Sequence, residues 1–311
     1  MCETELGMGC EKEIKCSFCT EPLWGKSISR PVDDVIEEIS SLYKSGCRHF
    51  RLGRISNIFA YMGEKYPDPK AIEALYTGIR SVASDLMTLH TDNANPGYIY
   101  SHMKESESIA GTISAYNTPG DVLSMGIESF DPKVISMNNL KIGKDQAFDV
   151  IKMINGVGGS RVEGIPKLLP GINLLYGLMG ETKETYKINF ETLMKILHAN
   201  LIGREPKTDE RMYAHHKFIV RKEFDHEMLK RVFPSGSIFR DVIIEYHEGK
   251  MSYGRKIGTY AMLVGIPKIL SLRSHVDCVV VDHGQRSLTV LPIPLKINKE
   301  GYDMLKWIPG I

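Results

Sequence analysis

Cys10, Cys16 and Cys19 are the residues of this sequence best equipped for chemistry: three thiols on one short segment, spaced Cys-x5-Cys-x2-Cys, with Phe18 directly before the last. Three thiolates so close in sequence can wrap one [4Fe–4S] cube and leave its fourth iron without a protein ligand. An open iron is a catalytic vacancy, as an open coordination position is on zinc. A structural zinc knuckle is the competing reading. It wants a fourth Cys or His at suitable spacing, and His49 reaches the loop only through tertiary folding. Of the 6 cysteines, those at 2, 10, 16 and 19 crowd the N-terminus, which suggests metal rather than a spread of disulfides. Cys47 and Cys278 stand in apolar runs and read as small buried side chains.

A cluster loop needs a frame, and the rest of the chain supplies one. Apolar runs alternate with amphipathic stretches, the rhythm of a parallel βα fold. Helical spacing is read over Pro31–Ser45, Pro69–Val82, Glu105–Tyr116, Lys144–Val157 and Glu181–Ala199. Strands are read at His49–Leu52, Leu86–His90, Val122–Ile127 and Gly171–Tyr176, with a further one at Cys2–Leu6. Polar or glycine-containing residues close each strand: Gly53-Arg54, Thr91-Asp92-Asn93, Glu128-Ser129, and Gly177 to Glu181. In parallel βα folds that edge carries the chemistry. Past residue 203 the rhythm breaks, and a sixth strand expected near Leu201–Arg211 is not legible. A helix near Asp225–Val232 and a hairpin or meander at the end complete the reading.

Cys-x-aromatic-Cys ahead of a βα barrel resembles the radical S-adenosylmethionine (SAM) superfamily, although the interval between the first two cysteines is longer than the usual three residues. CSFCTEPLWG, LHTDNANPG, TPGDVLSMGIESFDP and LLPGINLLYGLMGET are similar, more narrowly, to a group of mainly archaeal radical SAM proteins that end in a helix-hairpin-helix and share core motifs with methylthiotransferases. The resemblance implies an α/β fold with a partial (βα) barrel over 1–211. It also implies a smaller α+β region over 212–311 that ends at the start of a truncated helix-hairpin-helix. Cys10, Cys16 and Cys19 become ligands of a [4Fe–4S] cluster. Phe18, Gly53, Arg54, Asp92, Asn93, Glu128, Ser129, Gly177, Gly180 and Glu181 become the residues that meet SAM. Gly53-Arg54 sits where the superfamily carries a Gly-Gly-Glu-like motif, so an acid is missing there. Glu128 suits the ribose diol, because one carboxylate accepts two hydrogen bonds.

The implied activity is reductive cleavage of SAM to a deoxyadenosyl radical that removes hydrogen from an unactivated C–H bond, on an RNA or protein substrate. A ferredoxin or flavodoxin would supply the electron. A non-catalytic iron–sulfur or nucleic-acid-binding subunit that keeps this core is the alternative. The missing acid at Gly53-Arg54 and the illegible sixth strand motivate it. With 311 residues, 25% charged and a net charge of +1, nothing global directs the chain to nucleic acid or membrane. No apolar run approaches the ~18 residues of a membrane span. The N-terminus lacks the apolar segment of a signal peptide, so a cytoplasmic location is expected. His215-His216, Arg255 and Arg286 read as solvated.

Overall fold

A computed structural model describes residues 1–63, 66–202, 218–259 and 261–293. Besides two short antiparallel pairs, the N-terminal part has six parallel strands among the described residues: β1 (Cys2–Glu5), β2 (His49–Gly53), β3 (Thr88–Thr91), β4 (Asn93–Ala94), β5 (Asp121–Glu128) and β6 (Leu168–Leu174). They make two parallel sheets, ordered β1-β2-β3 and β6-β5-β4. Only Asp92 separates β3 from β4, so the chain passes from one sheet to the other there. The Asp92 carbonyl accepts from Ser124 N at 2.8 Å, which ties the joint to β5.

Helices α1 (Val32–Lys44), α2 (Pro69–Val82), α3 (Pro96–Ser101), α4 (Met103–Tyr116), α5 (Pro132–Met137), α6 (Lys144–Gly158) and α7 (Lys183–His198) fill the intervals. α1, α2, α4 and α6 touch in that order, one neighbour against the next. In α2 the pattern Ile72, Leu75, Tyr76, Ile79 places four fully buried side chains on one stripe. Their removal from water stabilises the fold by about 2 kcal/mol each. Asp68 starts this helix, its Oδ1 accepting from Lys70 N at 3.0 Å and Ala71 N at 3.1 Å, and Pro69 follows where a missing N–H costs nothing. All four residues of β3 are buried, as a parallel strand covered on both faces must be.

The structure departs from the sequence reading where local chemistry is strong. After β4, where the sequence reading places no helix, Asn95 caps α3, with Oδ1 accepting from Gly97 N at 3.1 Å, and Pro96 opens the helix. Residues 203–210 and the His215-His216 pair lie outside the described residues, as does the terminal stretch read as the start of a helix-hairpin-helix.

In the C-terminal region a π-helical turn (Val220–Asp225) leads into α8 (His226–Val232). Strands β7 (Ile238–Glu248), β8 (Met251–Lys256), β9 (Leu263–Ile266), β10 (His275–His283) and β11 (Ser287–Pro292) follow. The expected hairpin is present as β10 and β11, paired antiparallel, and it belongs to a closed barrel ordered β7-β8-β9-β11-β10 and sealed by β10 on β7. Only β9 and β11 run parallel. Val242, Ile244, Val264, Ile266, Val280, Leu288 and Val290 are all buried, and closure lets the five strands share one interior. The barrel docks on the end of β3, where Thr259 N donates to His90 Nδ1 at 3.2 Å and Thr88 Oγ1 donates to the Ile257 carbonyl at 3.1 Å. No described helix is long and apolar enough to cross a membrane.

Candidate functional site

The cysteine segment crosses the C-terminal ends of the parallel strands. A short antiparallel pair, Gly7–Met8 with Ile28–Ser29, closes its base, and a 3-10 turn over Glu21–Trp24 follows the last cysteine. Cys10 is half-buried, Cys16 buried and Cys19 exposed, and all three are free thiols. Burial pushes the Cys10 thiol up, against the opposing hydrogen bond from Lys12 N. Lys12 Nζ lies 3.4 Å from Cys16 Sγ.

Two asparagines that the sequence reading passed over hold the far side of the loop. Ser17 N donates to the Asn138 carbonyl at 3.1 Å, and Ser17 Oγ donates to Asn138 Oδ1 at 2.7 Å. Cys16 Sγ stands 3.6 Å from the Asn139 carbonyl, which also accepts from Lys12 Nζ. Asn138 Nδ2 reaches the Met179 carbonyl at 2.8 Å, so one side chain links the cysteine loop to the glycine loop after β6. Asn138 and Asn139 lie more than a hundred residues from the cysteines in sequence, and no local pattern announces them.

Beside the loop is a cavity of about 420 Å³ lined by Cys19 together with Arg54, Asp92, Asn93 and Glu128. Five of the sequence-derived site residues therefore share one space. Glu21, Trp24, Ser124 and Asn173, which stand inside the quoted motifs, line it too, together with Glu5 and Lys141. Arg54, directly after β2, and Glu128, the last residue of β5, both take the left-handed region, at φ 56° and 67°. Each such residue costs on the order of 1–2 kcal/mol, and such strain gathers at functional sites. Gly126 makes room for two of the lining groups: a Cβ there would lie 2.5 Å from Glu128 Oε1 and 3.2 Å from Lys141 Nζ. Asp92 is buried and paired with Arg51 of β2. Arg54 Nε stands 3.8 Å from Glu5 Oε2, so β1 contributes an acid at the strand end where β2 is followed by an arginine.

The remaining predicted residues fall elsewhere. Gly53 backs onto Glu3, whose Oε1 lies 2.7 Å from where a Cβ would be. Phe18 projects to solvent, 41% exposed. Ser129 is buried and spans toward α7, its Oγ 3.4 Å from Asn189 Oδ1 and accepting from Asp131 N at 3.2 Å. Glu181 folds back on its own loop, with Oε2 accepting from Gly177 N at 2.8 Å and from the Tyr186 hydroxyl at 3.0 Å. Gly177 and Gly180 take positive φ in that turn, at 89° and 85°. None of these side chains or glycines lines the cavity. Arg255 and Arg286, read from sequence as solvated, have side chains 38% and 39% exposed and stand beside Glu245 and Asp225.

Among the described residues, no three His, Cys, Asp or Glu side chains are gathered tightly enough for a single metal ion. Cys10 lines a second cavity of about 430 Å³, distinct from the one that Cys19 lines.

No family model matches the chain. An uncharacterised protein of Archaeoglobus fulgidus is 38% identical over 100% of this chain, which covers 63% of that protein. The ribosomal protein uS12 methylthiotransferase of Carboxydothermus hydrogenoformans is 25% identical over 64% of this chain and 41% of its own. Among solved structures, the radical S-adenosylmethionine methyltransferase TsrM of Kitasatospora setae is 15% identical and covers 79% of this chain and 42% of its own, with a TM-score of 0.49. The chain spans about three fifths of the length of the archaeal relatives it matches.

Proposed function

We propose that this chain is a radical SAM protein and a SAM-cleaving enzyme whose cluster is held by Cys10, Cys16 and Cys19. One observation carries the reading: the cavity that places Cys19 with Arg54, Asp92, Asn93 and Glu128 at the C-terminal edge of parallel strands. The two sheets joined at Asp92 form, in this reading, one curved wall of a partial barrel.

When bound, the cluster supplies one electron to the sulfonium of SAM, releasing methionine and a deoxyadenosyl radical. The chain's own residues bind and exclude water. Glu128 accepts the ribose hydroxyls, and Lys141 beside it offers a cation to a carboxylate. Glu5, at the end of β1, supplies the acid that Gly53-Arg54 lacks. Buried Ala94 and Ile55 give the cavity an apolar side that keeps solvent from a reactive carbon. A small one-electron protein such as a ferredoxin or flavodoxin reduces the cluster.

RNA is the substrate class we favour over protein. The barrel order β7-β8-β9-β11-β10 is that of oligonucleotide- and oligosaccharide-binding folds, a support by analogy of fold.

Anaerobic reconstitution with iron and sulfide, reduction, and addition of SAM test the function. Deoxyadenosine should form with wild type and not with Cys16→Ala. A full cluster that never cleaves SAM, with or without cellular RNA, would instead favour a non-catalytic iron–sulfur subunit.

A further inference from the structure

We propose that Glu11 is the positioning residue of the cysteine loop, fixing Cys10 against the strand ends before any cluster arrives. The proposal rests on the reading of this loop as a cluster site and assigns its pre-organisation to one carboxylate. Glu11 Oε1 accepts from Asn57 Nδ2 at 3.1 Å and from Asn95 Nδ2 at 2.7 Å, and its Oε2 accepts from Ser56 Oγ at 3.1 Å. Asn57 and Asn95 are both buried.

The backbone dictates how those two amides are turned. Asn57 Oδ1 accepts from Phe59 N at 3.2 Å and from Asn95 N at 3.1 Å. Asn95 Oδ1 accepts from Gly97 N at 3.1 Å and Tyr98 N at 3.4 Å. With each oxygen committed to a backbone N–H, each NH₂ can only face Glu11. The strand ends thus present two aimed donors and a hydroxyl to a single acceptor, and charge-assisted bonds of this kind are the strong ones.

The length of the loop explains why such an anchor is needed. Five residues separate Cys10 from Cys16, and every free residue adds conformations that must be surrendered when three thiolates converge on one group. Lys12, Cys16 and Ser17 are already fastened to Asn138 and Asn139. Glu11 fastens the other end, next to Cys10, so the thiols are held from both sides.

The metal-free protein offers a direct test, because Lys12 and Lys15 make the loop a trypsin substrate when it opens. Cleavage within the loop of native protein should be at least about tenfold faster in Glu11→Ala than in wild type, since local opening governs nicking. Asn95→Asp keeps the cap on α3 but sets carboxylate against carboxylate, and it should open the loop as well. Once Glu11→Ala has removed the acceptor, adding Asn95→Asp should open the loop little further, because the contact it disturbs is already gone. That coupling separates a specific contact from general loosening. Wild-type nicking in Glu11→Ala, or effects of Glu11→Ala and Asn95→Asp that simply add in the double variant, overturns the proposal. In iron-loaded protein, Glu11→Ala should lose its cluster to a chelator several-fold faster than wild type, and an unchanged rate also overturns it. A wild type that takes up no cluster sinks the proposed function, while the trypsin comparison still decides the role of Glu11.

Discussion

Replacing His90 by Gln should remove a defined pH dependence from the stability of this protein. His90 is 4% exposed at the end of β3, where the barrel docks. Its Nδ1 accepts from Thr259 N at 3.2 Å, and its Nε2 is buried with no hydrogen-bond partner among the described residues. Burial, followed by the nearby charge of Lys256, pushes its pKa from 6.5 to about 3. The folded state therefore holds the neutral ring while the unfolded chain takes up a proton below 6.5. A depressed histidine contributes stability that is complete above its unfolded pKa and is lost as pH falls toward the folded one. The slope is about 1.4 kcal/mol per pH unit. Gln keeps an acceptor for Thr259 and cannot titrate. Between about pH 7.5 and about pH 4.5, wild type should therefore lose about 3 kcal/mol relative to His90→Gln, read from urea midpoints at matched slopes. A difference that stays constant across that range would refute the burial argument, and with it the tight docking of the barrel on β3.

Other residues give equally concrete expectations. Asp121, buried among Thr91, Asn117 and Val122, has its pKa raised by burial from 3.8 to about 7; its contribution is present at low pH and lost as pH rises through about 7, so its effect runs opposite to that of His90 and should show in the same urea midpoints when Asp121→Asn is compared with wild type. Asp92→Ala takes the buried carboxylate from Arg51 and should cost about 3 kcal/mol while also weakening SAM binding, measured by denaturation and by equilibrium dialysis. Gly97→Ala drives a Cβ into the Lys141 carbonyl and should cost about 1–3 kcal/mol, seen as a lower Tm. In metal-free native protein, exposed Cys19 should alkylate first and buried Cys278, its thiol pushed up to about 12 by burial, last; mass spectrometry of the labelled peptides gives the order.

The parts of this molecule that sequence made legible are those with a local signature. The apolar stripe of α2 repeats at the helical period and β5 is a nearly continuous buried run, and their bounds in the structure lie within a residue or two of the reading. The strand ends were legible for the same reason, since polar residues following an apolar run mark the active edge of a parallel sheet: Arg54, Asp92, Asn93 and Glu128 do meet at one cavity. Glu11, Asn138 and Asn139 were illegible because their meaning lies in partners 41 to 127 positions away. Ser129 and Glu181 sit in the right segments, but a hydroxyl and a carboxylate near a helix start are as readily spent on backbone N–H groups, and that is where the structure spends them. Closure of the C-terminal barrel depends on β9 pairing in parallel with β11, a non-local contact that no alternation of apolar residues encodes.

Electron paramagnetic resonance of the reduced, iron-loaded protein, recorded with and without SAM, tests the central claim most directly. The account predicts about four irons per chain, a single reduced cubane signal, and a change in that signal when SAM takes the open iron, all absent in Cys16→Ala. A signal indifferent to SAM, or a chain that binds one zinc in place of iron, would contradict it.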